Sequence, residues 1–248
     1  MTSEKIKIAA LADLHVHETS AGQYKELFTK LSEEVDIMLL CGDLTDLGLP
    51  KEATVLAQEL QEIRIPVVAV LGNHDYESEQ QKEVSDILKS AHVFMLEGTD
   101  YLFEKNGKTY GITGVKGFGG GFLPHMWSRF GEPEQKAFYD ALAHEIQVLE
   151  NGLNRLQHVS KNHCVVMMHY APIRATVHGE IPELYAFLGS TRLEEVIDRY
   201  ENIAAVFHGH SHFGAPEGKT VKGIPVYNVA YPLMQRVNPK QPYKIIEI

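Results

Sequence analysis

Apolar positions in the first ninety residues alternate between two periods. Lys5–Ala12 places Ile6, Ile8 and Ala10 on one face, the period of a strand. Tyr24, Leu27, Phe28 and Leu31 recur at helical spacing and predict a helix over Gln23–Glu34. Val35–Cys41 is a continuous apolar run and predicts a buried strand. Val55, Leu56, Leu60 and Ile63 predict a second helix over Lys51–Ile63, Pro66–Leu71 a third strand, and Glu77–Ser90 a third helix. This β-α-β-α-β-α order implies a parallel sheet with both faces covered.

The pattern changes after His92. Tyr101–Glu104 and Thr109–Val115 flank Asn106-Gly107, a hairpin-turn dipeptide. Lys116–Phe130 is Gly-rich and aromatic and predicts a loop. From Glu132 to about His158 an apolar stripe (Phe138, Leu142, Ile146, Leu149, Leu153, Leu156) predicts a long helix. A strand at His163–Met168 precedes an irregular stretch over 170–190. Arg192–Tyr200 reads as helix, and Ile203–Phe207, Pro225–Val229 and Tyr243–Ile248 as strands. With no repeat and no linker-like segment, the simplest reading is one domain over 1–248 with two packed sheets.

Composition narrows the class. The 248 residues suffice for a substantial core, and 44% hydrophobic with 23% charged residues is ordinary for a globular protein. A net charge of −10 argues against a nucleic-acid backbone as the default partner, which would call for a Lys/Arg surface. Cys41 and Cys164 each lie inside an apolar run and read as buried thiols rather than a disulfide. No stretch approaches the roughly 20 apolar residues of a membrane span, and no signal pattern opens the chain. The expectation is a soluble cytoplasmic protein.

Candidate chemistry sits where the predicted strands end. The segments are Asp13-Leu14-His15, Gly42-Asp43-Leu44-Thr45-Asp46, Gly72-Asn73-His74-Asp75, His169, and Gly209-His210-Ser211-His212. Singly, most have plain readings: Asp13 and Asp43 as turn or cap residues, Asp46 as a cap ahead of the second helix, His15 as a surface imidazole. His74 is less easily explained by a turn, and three imidazoles between His208 and His212 less still. Strand ends of an α/β fold converge on one rim, so residues distant in sequence can meet there around metal ions.

In their order these segments resemble the signature blocks of the calcineurin-like metallophosphoesterases: D-x-H, G-D-x-x-D, G-N-H-D/E, an isolated His and G-H-x-H. The resemblance spans residues 13–212 with every block intact. It implies an α/β fold of four layers, two packed mixed sheets between helices, carrying a dinuclear metal centre. Block by block, it implies one metal held by Asp13, His15 and His212, a second by Asn73, His169 and His210, and Asp43 shared. A nitrogen and oxygen set without thiolate suits Mn, Fe, Zn, Co or Ni. The reaction implied is hydrolysis of a phosphoester by a metal-bridging hydroxide attacking phosphorus in line. His74 matches the residue that faces the substrate and assists the leaving oxygen, and Asp46 the residue that orients that imidazole. His17 and His208 match no ligand position; His17 reads first as a loop imidazole or a group supporting the ligands and second as a substrate-facing residue, and His208 as a strand-end residue.

The substrate is less legible. Leu47-Gly48 stands where protein Ser/Thr phosphatases of this superfamily have Arg-Gly, and Asp75 where they have Glu, so the small prokaryotic branch fits better. Met168-His169-Tyr170-Ala171-Pro172 departs from the His-His-Pro-Pro-like sequence of many cyclic-nucleotide enzymes, leaving that assignment open. The expected substrate is a small phosphorylated molecule, a diester slightly ahead of a monoester, with oligomeric state open. The 116–130 loop is a candidate pocket wall or a structural loop. Arg174 reads first as a surface arginine and second as a phosphate clamp. A non-catalytic scaffold on the same fold is the alternative, but a scaffold has no need of a complete ligand set plus His74.

Overall fold

The computed structural model describes residues 5–159 and 163–248. In chain order the first part runs β1 (Lys7–Leu11), α1 (Lys25–Glu34), β2 (Ile37–Cys41), α2 (Pro50–Leu60), β3 (Val67–Val70), α3 (Gln81–Ser90), β4 (Val93–Met95), β5 (Asp100–Lys105) and β6 (Lys108–Val115). The second adds β7 (Gly121–Phe122), β8 (His125–Met126), α4 (Pro133–Leu156), β9 (Cys164–Met168), α5 (Tyr185–Leu188) and α6 (Thr191–Ile197). It closes with β10 (Ile203–His208), β11 (Glu217–Lys219), β12 (Pro225–Asn228), α7 (Tyr231–Val237) and β13 (Lys244–Glu247).

Two mixed sheets result, ordered β13-β1-β2-β3-β4 and β11-β12-β10-β9-β6-β5. β1 to β4 pair in parallel, with β13 antiparallel on the edge. In the second sheet β6, β9, β10 and β12 are parallel. Alternation along each strand builds the layers. Ile37, Leu39 and Cys41 of β2 point inward and meet Tyr110, Val165 and Phe207 of the other sheet. Met38 and Leu40 point outward onto Phe28, Leu56 and Leu88 of α1, α2 and α3. On the far side Val166 and Val206 meet Leu149, Leu193 and Val196 of α4 and α6. The order is therefore helices, sheet, sheet, helices, the four layers that the resemblance implies.

The structure refines the elements read from the sequence. The first sheet is covered on both faces, but its inner cover is the second sheet. The third helix begins at Gln81 rather than Glu77. Glu79 adopts φ of 58°, which a right-handed helix cannot contain, and a short 3-10 turn over His74–Tyr76 precedes it. β4, β11 and α7 are short additions with too few residues to show a period. The 116–130 segment folds a two-stranded antiparallel hairpin, β7 with β8, and the 170–190 stretch holds two 3-10 turns and α5. Both cysteines are free and buried. Among the described residues no helix is long and apolar enough to cross a membrane.

Candidate metal centre

The parallel strands of the two sheets end on a common rim. β1 ends just before Asp13, β2 before Asp43, β3 before Asn73 and β9 before His169, while β10 runs into Gly209 and His210. The sheets are stitched together there: the Ala12 N–H donates to the Val229 carbonyl at 3.0 Å and the Tyr231 N–H to the Ala12 carbonyl at 2.9 Å. Asp13, His15, Asp43 and His210 lie at φ of 56°, 44°, 49° and 68°. Such left-handed residues turn the chain sharply at a strand end. Asp and His tolerate this conformation better than most side chains, and held strain of this kind clusters at functional sites.

Two glycines are there for closeness. A Cβ on Gly72 would land on the backbone nitrogen and Oδ1 of Asp43, and one on Gly209 on Oδ2 of Asp13 and the methyl of Ala12. Each glycine thus lets a carboxylate of another block lie against the backbone. Gly72→Ala is expected to displace Asp43, lowering stability by about 1–3 kcal/mol and weakening metal retention. Denaturant midpoints and metal content after dialysis check both.

The side chains form two adjoining groups. The donor atoms of Asp13, His15 and His212 lie within 4.8 Å of one another, as do those of Asp43, His169 and His210. In the first, His212 Nε2 is 3.0 Å from Asp13 Oδ1. In the second, His169 Nε2 lies 2.9 Å from Asn73 Oδ1, 3.1 Å from His210 Nδ1 and 3.3 Å from Asp43 Oδ1. The other oxygen of Asp43, Oδ2, is 3.9 Å from His15 Nε2, so the carboxylate faces both groups. All seven ligand positions named from the sequence are thereby brought together.

The set fits cations. His15 is largely enclosed, yet neither ring nitrogen has a hydrogen-bond partner, an arrangement that is costly unless something else binds there. His169 Nδ1 lies 3.2 Å from the Cys41 carbonyl and His210 Nε2 3.2 Å from the Phe187 carbonyl. An N–H donated outward on each ring leaves the inner nitrogen bare, as ligation requires. Charge is balanced around Asp43. Burial works against its ionised form, but the neighbouring His169 ring and the His74 N–H hold the carboxyl well below its usual range. Burial likewise opposes a charge on His169, and Asp43 outweighs it, holding that imidazole above its ordinary value. His210 is pushed down to about 3 by burial and then by the His169 charge.

His74 is in neither group, although its ring centroid lies 4.5 Å from that of His15 and it forms a further cluster with His15 and Asp46. Its backbone N–H donates to Asp43 Oδ1 at 2.9 Å, and its half-exposed ring faces the opening. The ring is oriented by the carbonyl of Asp46, 2.6 Å from Nδ1, whereas the Asp46 carboxylate lies 4.0 Å away. That carboxylate sits instead 3.4 Å from His15 Nδ1 and 3.4 Å from the exposed His17 Nδ1. The orienting contact expected of the Asp46 side chain is thus made by its main chain.

Asp75 has a part that sequence reasoning left unassigned. Fully buried, its carboxylate accepts from the N–H groups of Gly72 (2.8 Å), Leu44 (3.2 Å) and Thr45 (2.8 Å) and from the Thr45 hydroxyl (2.6 Å). It locks the Asp43 loop to the Asn73 loop. Burial and the Asp43 charge raise its pKa to about 6. Its place as fourth member of Gly-Asn-His-Asp was the available signal. Tyr170 was also missed, and its ring centroid is 4.4 Å from that of His210. His208 is buried, with Nε2 2.8 Å from the Thr176 hydroxyl oxygen and Nδ1 against the Gly209 carbonyl, the strand-end role expected of it. Arg174 is exposed and lies over the Tyr185 ring.

The sequence model of the calcineurin-like phosphoesterases matches residues 6–214, which takes in every strand-end segment described. The chain belongs to the calcineurin-like phosphoesterase family. It is a metal-dependent hydrolase of phosphoester bonds. It is 24% identical to a probable cyclic nucleotide phosphodiesterase of Coxiella burnetii, over 86% of this chain and 78% of that one. It is 22% identical to a probable glycerophosphodiester phosphodiesterase of Arcobacter nitrofigilis, over 73% of this chain and 58% of the relative. Among solved structures, the phosphopantetheinyl hydrolase of Mycobacterium tuberculosis shares the fold with a TM-score of 0.71 at 17% identity, covering 98% of this chain and 96% of that one.

Proposed function

We propose that this phosphoesterase cleaves small phosphodiesters at a centre in which Asp13, His15 and His212 hold one transition-metal ion and Asn73, His169 and His210 a second, with Asp43 shared. The observation that carries the assignment is Asp43: one oxygen faces His169 at 3.3 Å and the other faces His15 at 3.9 Å. The donors are imidazole, amide and carboxylate, which suits Mn, Fe, Zn, Co or Ni. Held by these residues, such ions would supply the charge that makes a water nucleophilic near neutral pH and offsets charge on the phosphoryl oxygens. His210 and His169 are held in register by the Phe187 and Cys41 carbonyls. His74 holds a proton at Nε2 for the departing oxygen, its Nδ1–H donated to the Asp46 carbonyl. The diester preference follows the two named relatives, both phosphodiesterases. The cytoplasm is the proposed location, in keeping with two free thiols.

The test is turnover of bis-p-nitrophenyl phosphate against p-nitrophenyl phosphate with Mn²⁺, beside a chelated control. The diester is expected to be cleaved faster, and chelation to abolish both. A monoester preference would overturn the substrate class, and activity surviving chelation would overturn the metal centre.

Loading should also release protons. In the metal-free protein Asp43 holds His169 charged, and a charged imidazole cannot ligate. Because the raised pKa has to be overcome, metal binding tightens as pH rises through the neutral range. Calorimetric titration at pH 7 in two buffers of different ionisation enthalpy is expected to give different apparent heats. The difference should shrink in His169→Asn, and equal heats in the unaltered protein would refute the charged state.

A further inference from the structure

Beside the second ligand group lies a cavity of about 240 Å³ that the hydrolytic machinery leaves unused. Its walls come from four separate parts of the chain. Tyr170 follows β9 and stacks near His210, with ring centroids 4.4 Å apart. Phe118, from the Gly-rich segment, is 5.7 Å from Tyr170 and 5.9 Å from Phe138 of α4. Trp127 is 5.3 Å from Phe138 and 5.6 Å from Phe187 of α5. Phe187 closes the ring, since its carbonyl lies 3.2 Å from His210 Nε2. The result is an aromatic box whose lining also includes Asn73 and His210, two of the proposed metal ligands.

The box is held in shape by backbone contacts. The Gly120 N–H donates to the Ala186 carbonyl at 2.8 Å, the Gly121 N–H to the Gly189 carbonyl at 2.9 Å, and the Trp127 N–H to the Gly120 carbonyl at 2.7 Å. These strap the Gly-rich segment to α5, so the walls are set before a ligand arrives. Phe138 and Phe187 nonetheless remain 44% and 54% exposed, which is unfavourable for rings with nothing to cover them.

We propose that this box seats one ester arm of the substrate, and that the arm is an uncharged planar ring joined through oxygen to the phosphorus held at the metal centre. The inference rests on the metal assignment above. A volume below the roughly 300 Å³ of ordinary small-molecule pockets admits one ring system and little more. A cationic arm is disfavoured despite the aromatic walls. Lys116 Nζ already lies 4.9 Å from the Phe118 centroid and 5.3 Å from that of Tyr170. Among the described residues no carboxylate lines the cavity, and the nearby Glu145 is engaged by Lys116 and the Gly117 N–H. Metal ions held at the neighbouring centre would add to the repulsion.

Trp127 is the sole tryptophan of the chain, so its emission reports on the box without turnover. With Zn²⁺-loaded protein of verified metal content, benzylphosphonate is expected to perturb Trp127 fluorescence and to bind at least about tenfold more tightly than butylphosphonate, the scale of one aromatic stack. Phe138→Ala and Phe187→Ala, both at exposed positions that tolerate truncation, are each expected to erase most of that ratio. In turnover, the methyl diester of benzyl alcohol is expected to exceed that of butanol in kcat/KM by a similar factor, and the same variants to bring the ratio towards one. Equal binding of the two phosphonates, or a ratio unmoved in both variants, would overturn the proposal while leaving the hydrolase standing. Tighter binding of the trimethylammonioethyl phosphonate than of the benzyl compound would also overturn it, in favour of a cation cage. Absence of turnover with every metal would count against the substrate reading, and the fluorescence titration would still decide the box.

Discussion

Asp43→Ala is expected to lose both bound ions and nearly all turnover, a larger effect than any other single substitution at the rim. The reason is position. The carboxylate lies between the two donor groups, 3.3 Å from His169 and 3.9 Å from His15, and it also accepts the His74 N–H at 2.9 Å. Its removal would take the proposed shared ligand from each site and leave the buried His169 without the charge that faces it. Removing a group that merely supports a ligand costs roughly 10–100-fold in metal affinity, and loss of a shared ligand exceeds that. Metal analysis after dialysis and turnover with Mn²⁺ at saturating concentration check the result. Asp43→Asn is the sharper control, because it keeps one oxygen and the shape but not the charge. It is expected to bind metal weakly and recover part of its activity at high Mn²⁺. If Asp43→Ala retains two ions per chain, the shared-ligand assignment is wrong.

The residues proposed as ligands can be picked out in the sequence because their segments follow strands whose apolar runs are unambiguous. Ile37–Cys41 is apolar at every residue, so its end, and hence the start of the Asp43 loop, is fixed by where the run stops. The glycines in the blocks carried information of the same kind, since Gly72 and Gly209 mark where another block's carboxylate lies against the chain. What was not legible has a common physical origin. The contact that orients His74 is made by the Asp46 main chain, and a carbonyl leaves no mark on residue identity. The onset of α3 was misplaced because Glu79 takes a left-handed conformation that its side chain does not announce. The aromatic box draws on residues 118, 127, 138, 170 and 187, which share no spacing and meet only once α4 and α5 pack over the second sheet. The Gly-rich loop could be named as a possible wall, but nothing local to it shows which helix supplies the opposite side.

His74→Ala is expected to keep both metals and lose catalysis in a way that depends on the leaving group. None of the distances that define the two donor groups involves the His74 side chain, and its backbone N–H to Asp43 survives the substitution. Metal content is therefore expected to be unchanged. The imidazole has its Nδ1 fixed on the Asp46 carbonyl at 2.6 Å, so Nε2 is the nitrogen turned towards the opening. With Nδ1–H donated, a neutral ring has no proton at Nε2, and the ring must be the imidazolium to protonate a departing oxygen. A poor leaving group such as an alkoxide needs that proton, and a p-nitrophenolate does not. Turnover of an alkyl diester is thus expected to fall by about 10²–10⁴-fold, the usual contribution of a positioned acid. Turnover of bis-p-nitrophenyl phosphate is expected to fall far less. Equal losses for both substrates would make His74 an electrostatic support rather than a proton donor, and loss of metal would place it among the ligands. Asp46→Asn completes the argument. Because the orienting group is the main-chain carbonyl, this variant is expected to retain the leaving-group dependence of the unaltered enzyme. If instead it mimics His74→Ala, the carboxylate at 4.0 Å is what positions the ring.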